Sequence, residues 1–179
     1  MNNFIELSEI KKASQLLKGV VIKSPFQKVK SYSKKYNSNI FFKREDLQNV
    51  RSFKIRGAFN KISSLSKSQS INGLVCASAG NHAQGFAFSC TNLGHKGRVY
   101  MPKSTPNQKI EQVKKFGKNN IEIILFGENF SQAYEMALKD CRDHNKIFIH
   151  PFDDIKVITG QATLFLEIID QIDNELDYL

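Results

Sequence analysis

Residues 74–85 read LVCASAGNHAQG and pass from an apolar strand pattern into a helix of small residues. The first four residues form a short apolar run of the kind found in buried strands. Gly80 then allows a tight turn, and the first N–H groups of the following helix have no partners within that helix. Such a junction predicts an anion site that suits a substrate carboxylate or a phosphate.

On both sides of this junction, short apolar runs alternate with helical patterns. The candidate strands are residues 40–43, 74–77, 98–101, 121–126 and 147–150. Between them apolar residues recur with helical spacing. Strands that alternate with crossover helices predict an α/β fold with a parallel sheet and helices on both faces. Ligands bind such sheets at the carboxyl ends of the strands, so we expect chemistry in the loops after the first and second of these strands.

Residues typical of helix ends support this division. Thr105 and Pro106 suit the N-cap and first position of a helix, and Gly94 suits the end of another. Within the junction, the structural alternatives are that Asn81 caps the helix and has no other role, and that His82 caps the helix or packs in the core.

A second stretch, residues 43–58, reads KREDLQNVRSFKIRGA and places a lysine at the start of a helix. Ser52 is the predicted N-cap, which puts Phe53 and Lys54 in the first turn. The helix dipole disfavours a cation there by only ~0.3–1 kcal/mol, which lowers the pKa of the amine by less than about one unit. Burial would therefore have to supply most of any shift toward a free, nucleophilic amine. The plain alternative is a solvated lysine.

The composition is that of a globular protein, with 41% hydrophobic and 24% charged residues among 179. The net charge of +9 suggests nucleic acid or a membrane as partner, but the lysines are spread along the chain without interleaved aromatic residues. We therefore expect neither partner. Three cysteines without metal-ligand spacing predict reduced core residues and no metal site. The sequence shows no secretory signal and no run of ~20 apolar residues, which predicts a soluble cytoplasmic protein.

Together the two stretches resemble the fold-type II family of pyridoxal-phosphate-dependent enzymes, whose fold is like that of the tryptophan synthase β chain. Within that family, the chain is similar to the branch of threonine dehydratases and serine racemases. The resemblance covers essentially the whole chain and includes SFKIRGA at 52–58, SAGNHAQG at 78–85, MPKSTPNQKIEQVKKFG at 101–117, HPFDD at 150–154 and GQAT at 160–163.

The resemblance implies a set of site residues. Lys54 is expected to carry pyridoxal 5′-phosphate through its amine, and Phe53 to pack against the cofactor ring. The side chain of Asn81 is expected to hydrogen-bond the 3′-hydroxyl of the cofactor. The strand–helix loop is expected to bind the substrate carboxylate through Ser78, Ala79, Gly80, Asn81 and His82.

The implied activity is that of a lyase that converts L-threonine to 2-oxobutanoate and ammonia, the first step toward isoleucine. Residues 43–58 look more like biosynthetic threonine dehydratases, because serine racemases usually carry Thr-Gly where this chain has Val50 and Arg51. The alternatives are a serine racemase or serine dehydratase, and a decayed remnant without catalysis.

The resemblance also implies a domain division. Residues 1–50 are expected to belong to the large cofactor-binding domain, residues 51–155 to form the small α/β domain, and residues 156–179 to begin the rest of the large domain. The family holds the cofactor phosphate in a glycine-rich loop, whereas no two of the 10 glycines here are adjacent. We therefore expect a truncated chain with little activity of its own, and a homo-oligomer at full length.

Overall fold

The computed structural model describes residues 4–172 and 176–178. Seven helices and six strands alternate along this part of the chain, with short 3-10 turns at Glu45–Leu47 and Lys118–Asn120. The helices are α1 (Leu7–Leu16), α2 (Lys30–Tyr36), α3 (Lys54–Ser63), α4 (Asn81–Leu93), α5 (Asn107–Gly117), α6 (Phe130–His144) and α7 (Ile155–Gln171). The strands are β1 (Phe26–Lys28), β2 (Phe41–Lys43), β3 (Leu74–Ala77), β4 (Gly97–Met101), β5 (Ile121–Leu125) and β6 (Ile147–Phe148).

Four strands form the central sheet in the order β5-β4-β3-β6, and every neighbouring pair is parallel. All four residues of β3 are buried, as expected for a strand covered on both faces. Helices α4 and α5 pack on one face of the sheet, around Phe86 and Val113, and α6 packs on the other through Ala133 and Ala137. The predicted α/β architecture with helices on both faces is confirmed.

The first predicted strand does not belong to this sheet. Strand β2 pairs with β1 in an antiparallel ribbon of two strands, with Phe26 opposite Lys43 and Lys28 opposite Phe41. The sequence prediction of a parallel partner at residues 40–43 was therefore wrong. The reason is that β1 has three residues only, which is too short for a period-of-two pattern to reveal a partner strand.

Helix α3 lies between α4 and α7, and glycines allow the close approach on both sides. A Cβ at Gly85 of α4 would stand 3.0 Å from the backbone carbonyl of Lys54. On the other side, a Cβ at Gly160 of α7 would stand 2.6 Å from the carbonyl oxygen of Arg56 and 2.7 Å from the Cα of Gly57. These contacts fix the height and rotation of the helix that begins with Lys54.

A buried ionic cluster joins α3 to α7 and to the 3-10 turn after β2. The guanidinium of Arg56, which is fully buried, donates to Glu45 at 2.8 Å and to Glu167 at 2.7 Å. Glu167 also pairs with Lys43, and Glu45 accepts from Ser24. Burial alone would raise the pKa of the Glu45 carboxyl, but hydrogen bonds from Arg56 and Ser24 outweigh it, and the pKa is lowered. Nothing in the spacing of these residues along the chain indicates the cluster.

Two of the predicted helix caps differ from the structure by one residue. Phe53, not Ser52, precedes the first helical residue of α3, and the Ser52 hydroxyl is buried instead of capping. Pro106, not Thr105, occupies the cap position of α5. Gly94 adopts the left-handed conformation after α4, as predicted (φ 73°). Lys54 still lies in the first turn of its helix, so the error leaves the site unchanged.

The three cysteines are free and lie in or against the core. Cys76 and Cys90 are buried and Cys141 is partly buried, and burial raises the pKa of each thiol. Protonated buried thiols act as small apolar residues, as the sequence predicted. Across residues 4–172 and 176–178, no helix is both long and apolar enough to cross a bilayer.

Candidate active site

The candidate site lies at the carboxyl edge of the parallel sheet, where the neighbouring strands β3 and β6 end. The chain leaves β3 through Ser78, Ala79 and Gly80 and enters α4. Beyond β6, Ile149 continues the pairing by donating its N–H to the carbonyl of Val75 at 2.8 Å. The first turn of α3 packs against α4 beside this edge, so both sequence stretches that predicted chemistry meet here.

Lys54 reaches the edge from the first position of α3. Its Nζ donates a hydrogen bond to the backbone carbonyl of Pro151 at 2.7 Å and lies 5.3 Å from the centroid of the Phe53 ring. The side chain is partly buried, and this burial lowers the pKa of the amine. The alternative of a solvated surface lysine is therefore wrong. Desolvation lowers the pKa of the amine, which the helix dipole alone could do only slightly.

The loop after β3 presents unpaired backbone donors. Ser78 donates its N–H to Tyr100, and Gly80 donates its N–H to the hydroxyl of Ser78 at 3.2 Å. Among the described residues, no acceptor contacts the backbone N–H of Ala79, Asn81 or His82. Two of these three groups begin α4, where the helix dipole favours an anion.

Asn81 does not cap α4. It is the first residue of the helix, and its side chain is exposed. The cap position belongs to Gly80, which has no side chain that could cap the helix. The alternative that Asn81 serves only as a cap is therefore excluded by the geometry. The exposed amide of Asn81, at the start of the helix whose first N–H groups are unpaired, is free to bind a ligand.

The imidazole of His82 is structural. The ring is buried, and its Nε2 lies 3.0 Å from the carbonyl of Ile149, which can only accept, so Nε2 carries the proton. Burial lowers the pKa of His82 to about 4, so the ring is neutral at pH 7. Its Nδ1 is buried without a partner among the described residues. His82 can therefore serve an anion through its backbone N–H, while its side chain holds α4 to the end of β6.

The arrangement fits a cofactor that carries an aldehyde and a flat ring. It offers a partly desolvated amine, an aromatic neighbour in Phe53, an exposed amide and unpaired N–H groups. The hydroxyl of Ser52, next to this turn, is buried and has no partner within the described part of the chain. No group of three or more His, Cys, Asp or Glu side chains that could hold a metal ion occurs among residues 4–172 and 176–178.

Two backbone carbonyl groups that organise the site could not be predicted from the sequence. Pro151 holds the amine of Lys54, and Ile149 holds the ring of His82. Both lie just past a strand of two residues, and a backbone acceptor leaves no trace in residue type. The resemblance at HPFDD marked the segment without indicating this role.

Residues 17–179 match the protein family described as "Pyridoxal-phosphate dependent enzyme". The chain is 52% identical over 178 residues to "L-threonine dehydratase biosynthetic IlvA" of Bacillus subtilis (strain 168), and this match covers 99% of the chain. It is 50% identical over 167 residues to the protein of the same name from Lactococcus lactis subsp. lactis (strain IL1403). The chain spans 42% and 40% of the lengths of these two relatives.

Solved structures give the same picture of the fold. The processed form of threonine deaminase isoform 2 from Solanum lycopersicum superimposes with a TM-score of 0.84 at 36% identity, over 94% of this chain and 47% of that one. The structure of maize serine racemase superimposes with a TM-score of 0.86 at 29% identity, over 93% of this chain and 50% of that one.

Proposed function

This chain belongs to the pyridoxal-phosphate-dependent enzyme family, and on that premise we propose that it supplies the cofactor lysine and the substrate loop of an L-threonine dehydratase. One observation carries the proposal: the partly buried amine of Lys54 and the unpaired N–H groups of Ala79, Asn81 and His82 lie at the same carboxyl edge of the sheet. The 52% identity to a relative named as a biosynthetic threonine dehydratase supports the choice of substrate.

We assign each site residue a role that its position supports. Lys54 binds the cofactor covalently through Nζ, and the ring of Phe53, 5.3 Å from that atom, packs against the cofactor. The exposed amide of Asn81 binds the 3′-hydroxyl of the cofactor. The substrate carboxylate binds the strand–helix loop, through Ser78, Ala79, Gly80, Asn81 and His82.

The chemistry then divides between the cofactor and the protein. Bound pyridoxal phosphate supplies an aldehyde and a conjugated ring that takes up the electron pair of the substrate α-carbon. The loop orients the substrate by its carboxylate. Burial lowers the pKa of the Lys54 amine and so favours its neutral form; once the substrate amine has displaced it from the cofactor, Nζ would take the proton from the α-carbon. Loss of the β-hydroxyl as water and hydrolysis of the resulting enamine give 2-oxobutanoate and ammonia.

The domain division predicted from the resemblance stays a proposal, with 1–50 and 156–179 in a large domain and 51–155 in a small one. The packing supports it in one respect. Helix α7 packs against α1 and α3, whereas α4, α5 and α6 pack on the sheet. Helix α3, which begins with Lys54, contacts both α4 and α7.

Serine is the rival substrate. The likeness to maize serine racemase favours this second candidate, whereas the higher identity to threonine dehydratases favours threonine. One missing methyl group changes the discrimination of a pocket by only about 1–3 kcal/mol. We therefore expect threonine to be preferred and serine to be a weaker substrate.

A chimeric enzyme tests the proposed function. We expect this chain, in place of the matching 178 residues of the Bacillus subtilis relative, to yield a protein that converts threonine to a 2-oxo acid. The variant Lys54→Ala of the chimera should lose about 10²–10⁴-fold in rate, because Nζ is both the point of attachment and the base. A folded, cofactor-loaded chimera that turns over serine faster than threonine, or keeps its rate without Lys54, would contradict the proposal.

The 179-residue chain by itself should turn over little threonine. A phosphate dianion needs several donors, and the sequence contains no pair of adjacent glycines to form the family's phosphate loop. Incubation with pyridoxal phosphate and threonine, followed by an assay for 2-oxo acid, checks this expectation. Robust turnover that disappears in Lys54→Ala would show it to be wrong.

We further propose a cytoplasmic location, a place in isoleucine biosynthesis and self-assembly at full length.

A further inference from the structure

The turn at residues 149–153 holds two side chains of the candidate site. The carbonyl of Pro151 accepts from Lys54 Nζ at 2.7 Å, and the carbonyl of Ile149 accepts from His82 Nε2 at 3.0 Å. A small change in the shape of this turn would move both carbonyls. The contacts that fix the shape of this turn therefore also fix the position of the Lys54 amine.

The imidazole of His150 closes the turn. Its Nδ1 lies 3.2 Å from the backbone N of Phe152 and 2.6 Å from the backbone N of Asp153, and both of these groups donate. Nδ1 is therefore unprotonated, and the ring proton lies on Nε2. The two bonds encircle Pro151, so its carbonyl lies within the segment that they tie together.

Aromatic packing holds the His150 ring in place. Its centroid lies 4.6 Å from that of Phe152, 5.9 Å from that of Phe148 and 6.1 Å from that of Tyr134, each in an edge-to-face arrangement. Tyr134 belongs to α6 and Phe148 to β6. The ring thus links the turn to the sheet and to a helix packed on it.

We propose that His150 is a positioning residue, whose Nδ1 holds the turn of residues 150–153 in the shape that presents the Pro151 carbonyl to the amine of Lys54. This inference rests on the proposed role of Lys54 and deepens it. His150 touches neither the amine nor the loop after β3 in the described contacts. It acts through the carbonyl that the turn displays.

The hydrogen bond from Lys54 Nζ to the Pro151 carbonyl affects the charge of the amine as well as its position. A carbonyl acceptor favours the ammonium form, while burial favours the neutral amine. If the turn opens and the bond is lost, burial acts alone, and the pKa of Lys54 should fall by about one further unit. A residue with a merely structural role would leave this titration unchanged.

Two substitutions separate the acceptor from the ring. His150→Asn keeps an acceptor, because an asparagine side chain readily accepts from the N–H groups two and three residues ahead, and it removes the ring. His150→Phe keeps an aromatic ring and removes the acceptor. The pKa of Lys54 is read from an NMR titration of lysine side chains labelled at Cε, with Lys54→Arg to identify the signal. Thermal unfolding shows that each variant is folded, and His150→Leu replaces His150→Phe if the latter does not fold.

We expect His150→Asn to leave the Lys54 titration within about 0.3 unit of wild type and His150→Phe to lower it by about one unit. An unchanged or raised pKa in His150→Phe would overturn the proposal. So would equal shifts in both variants, because the acceptor kept in His150→Asn would then not be what holds the turn. The titration uses no cofactor, so its result is independent of whether Lys54 proves to be the residue that binds pyridoxal phosphate.

Discussion

Arg56→Met is expected to lower the free energy of unfolding by about 3–5 kcal/mol, the loss that follows when one partner of a buried ionic cluster is removed. The guanidinium of Arg56 is fully buried and holds the carboxylates of Glu45 and Glu167 at 2.7–2.8 Å. Without it, Glu45 remains buried with only neutral donors, while Glu167 keeps its pair with Lys43. Urea denaturation of wild type and variant gives the difference.

Two controls identify the cause of that loss. Arg44→Met makes the same change in a partly exposed arginine paired with Asp46, and should change stability far less. The pH dependence gives the second control. In the wild type the lowered pKa of Glu45 contributes stability above its unfolded value, and this stability is lost as the pH falls through the folded pKa. In Arg56→Met burial instead raises the pKa of Glu45. The difference in the free energy of unfolding between wild type and variant should therefore become smaller as the pH falls. A gap that stays constant with pH would contradict the electrostatic explanation.

Gly160→Ala is expected to destabilise the protein by about 2–3 kcal/mol, as overpacking does. The added Cβ would stand 2.6 Å from the carbonyl oxygen of Arg56 and 2.7 Å from the Cα of Gly57, so α3 and α7 would have to separate. Helix propensity acts in the opposite direction, because alanine is favoured over glycine by about 1 kcal/mol within a helix. Gly85→Ala meets backbone at 3.0 Å and should lose less. A Gly160→Ala protein as stable as wild type would show that the α3–α7 contact is looser than described.

The parts of the fold that the sequence predicted have local signals. The strand at Leu74 to Ala77 is a buried apolar run, and the turn at Gly80 marks the start of α4, so the junction could be placed within a residue. Lys54 was found because a cation at a helix start is unusual and because SFKIRGA resembles a family motif.

The parts that the sequence did not predict depend on contacts between distant residues. Arg56 meets Glu45 and Glu167, 11 and 111 residues away, and no spacing reveals such a cluster. The role of Gly160 depends on which helix crosses it. Ser52 looked like a helix cap from residue type alone, but its hydroxyl is buried and has no hydrogen-bond partner among the described residues. Local propensity cannot anticipate where tertiary packing turns a side chain.

Trapping the cofactor on the protein shows directly whether Lys54 is the residue that binds it. The chain is incubated with stoichiometric pyridoxal phosphate, reduced with borohydride and mapped by peptide, with Lys54→Ala as the control. Lys30 offers a comparison within the same chain, since it also begins a helix but is exposed. We predict that the label lies on the peptide containing Lys54 and disappears in Lys54→Ala. Label on Lys30 or another lysine, with Lys54 unmodified, would contradict it.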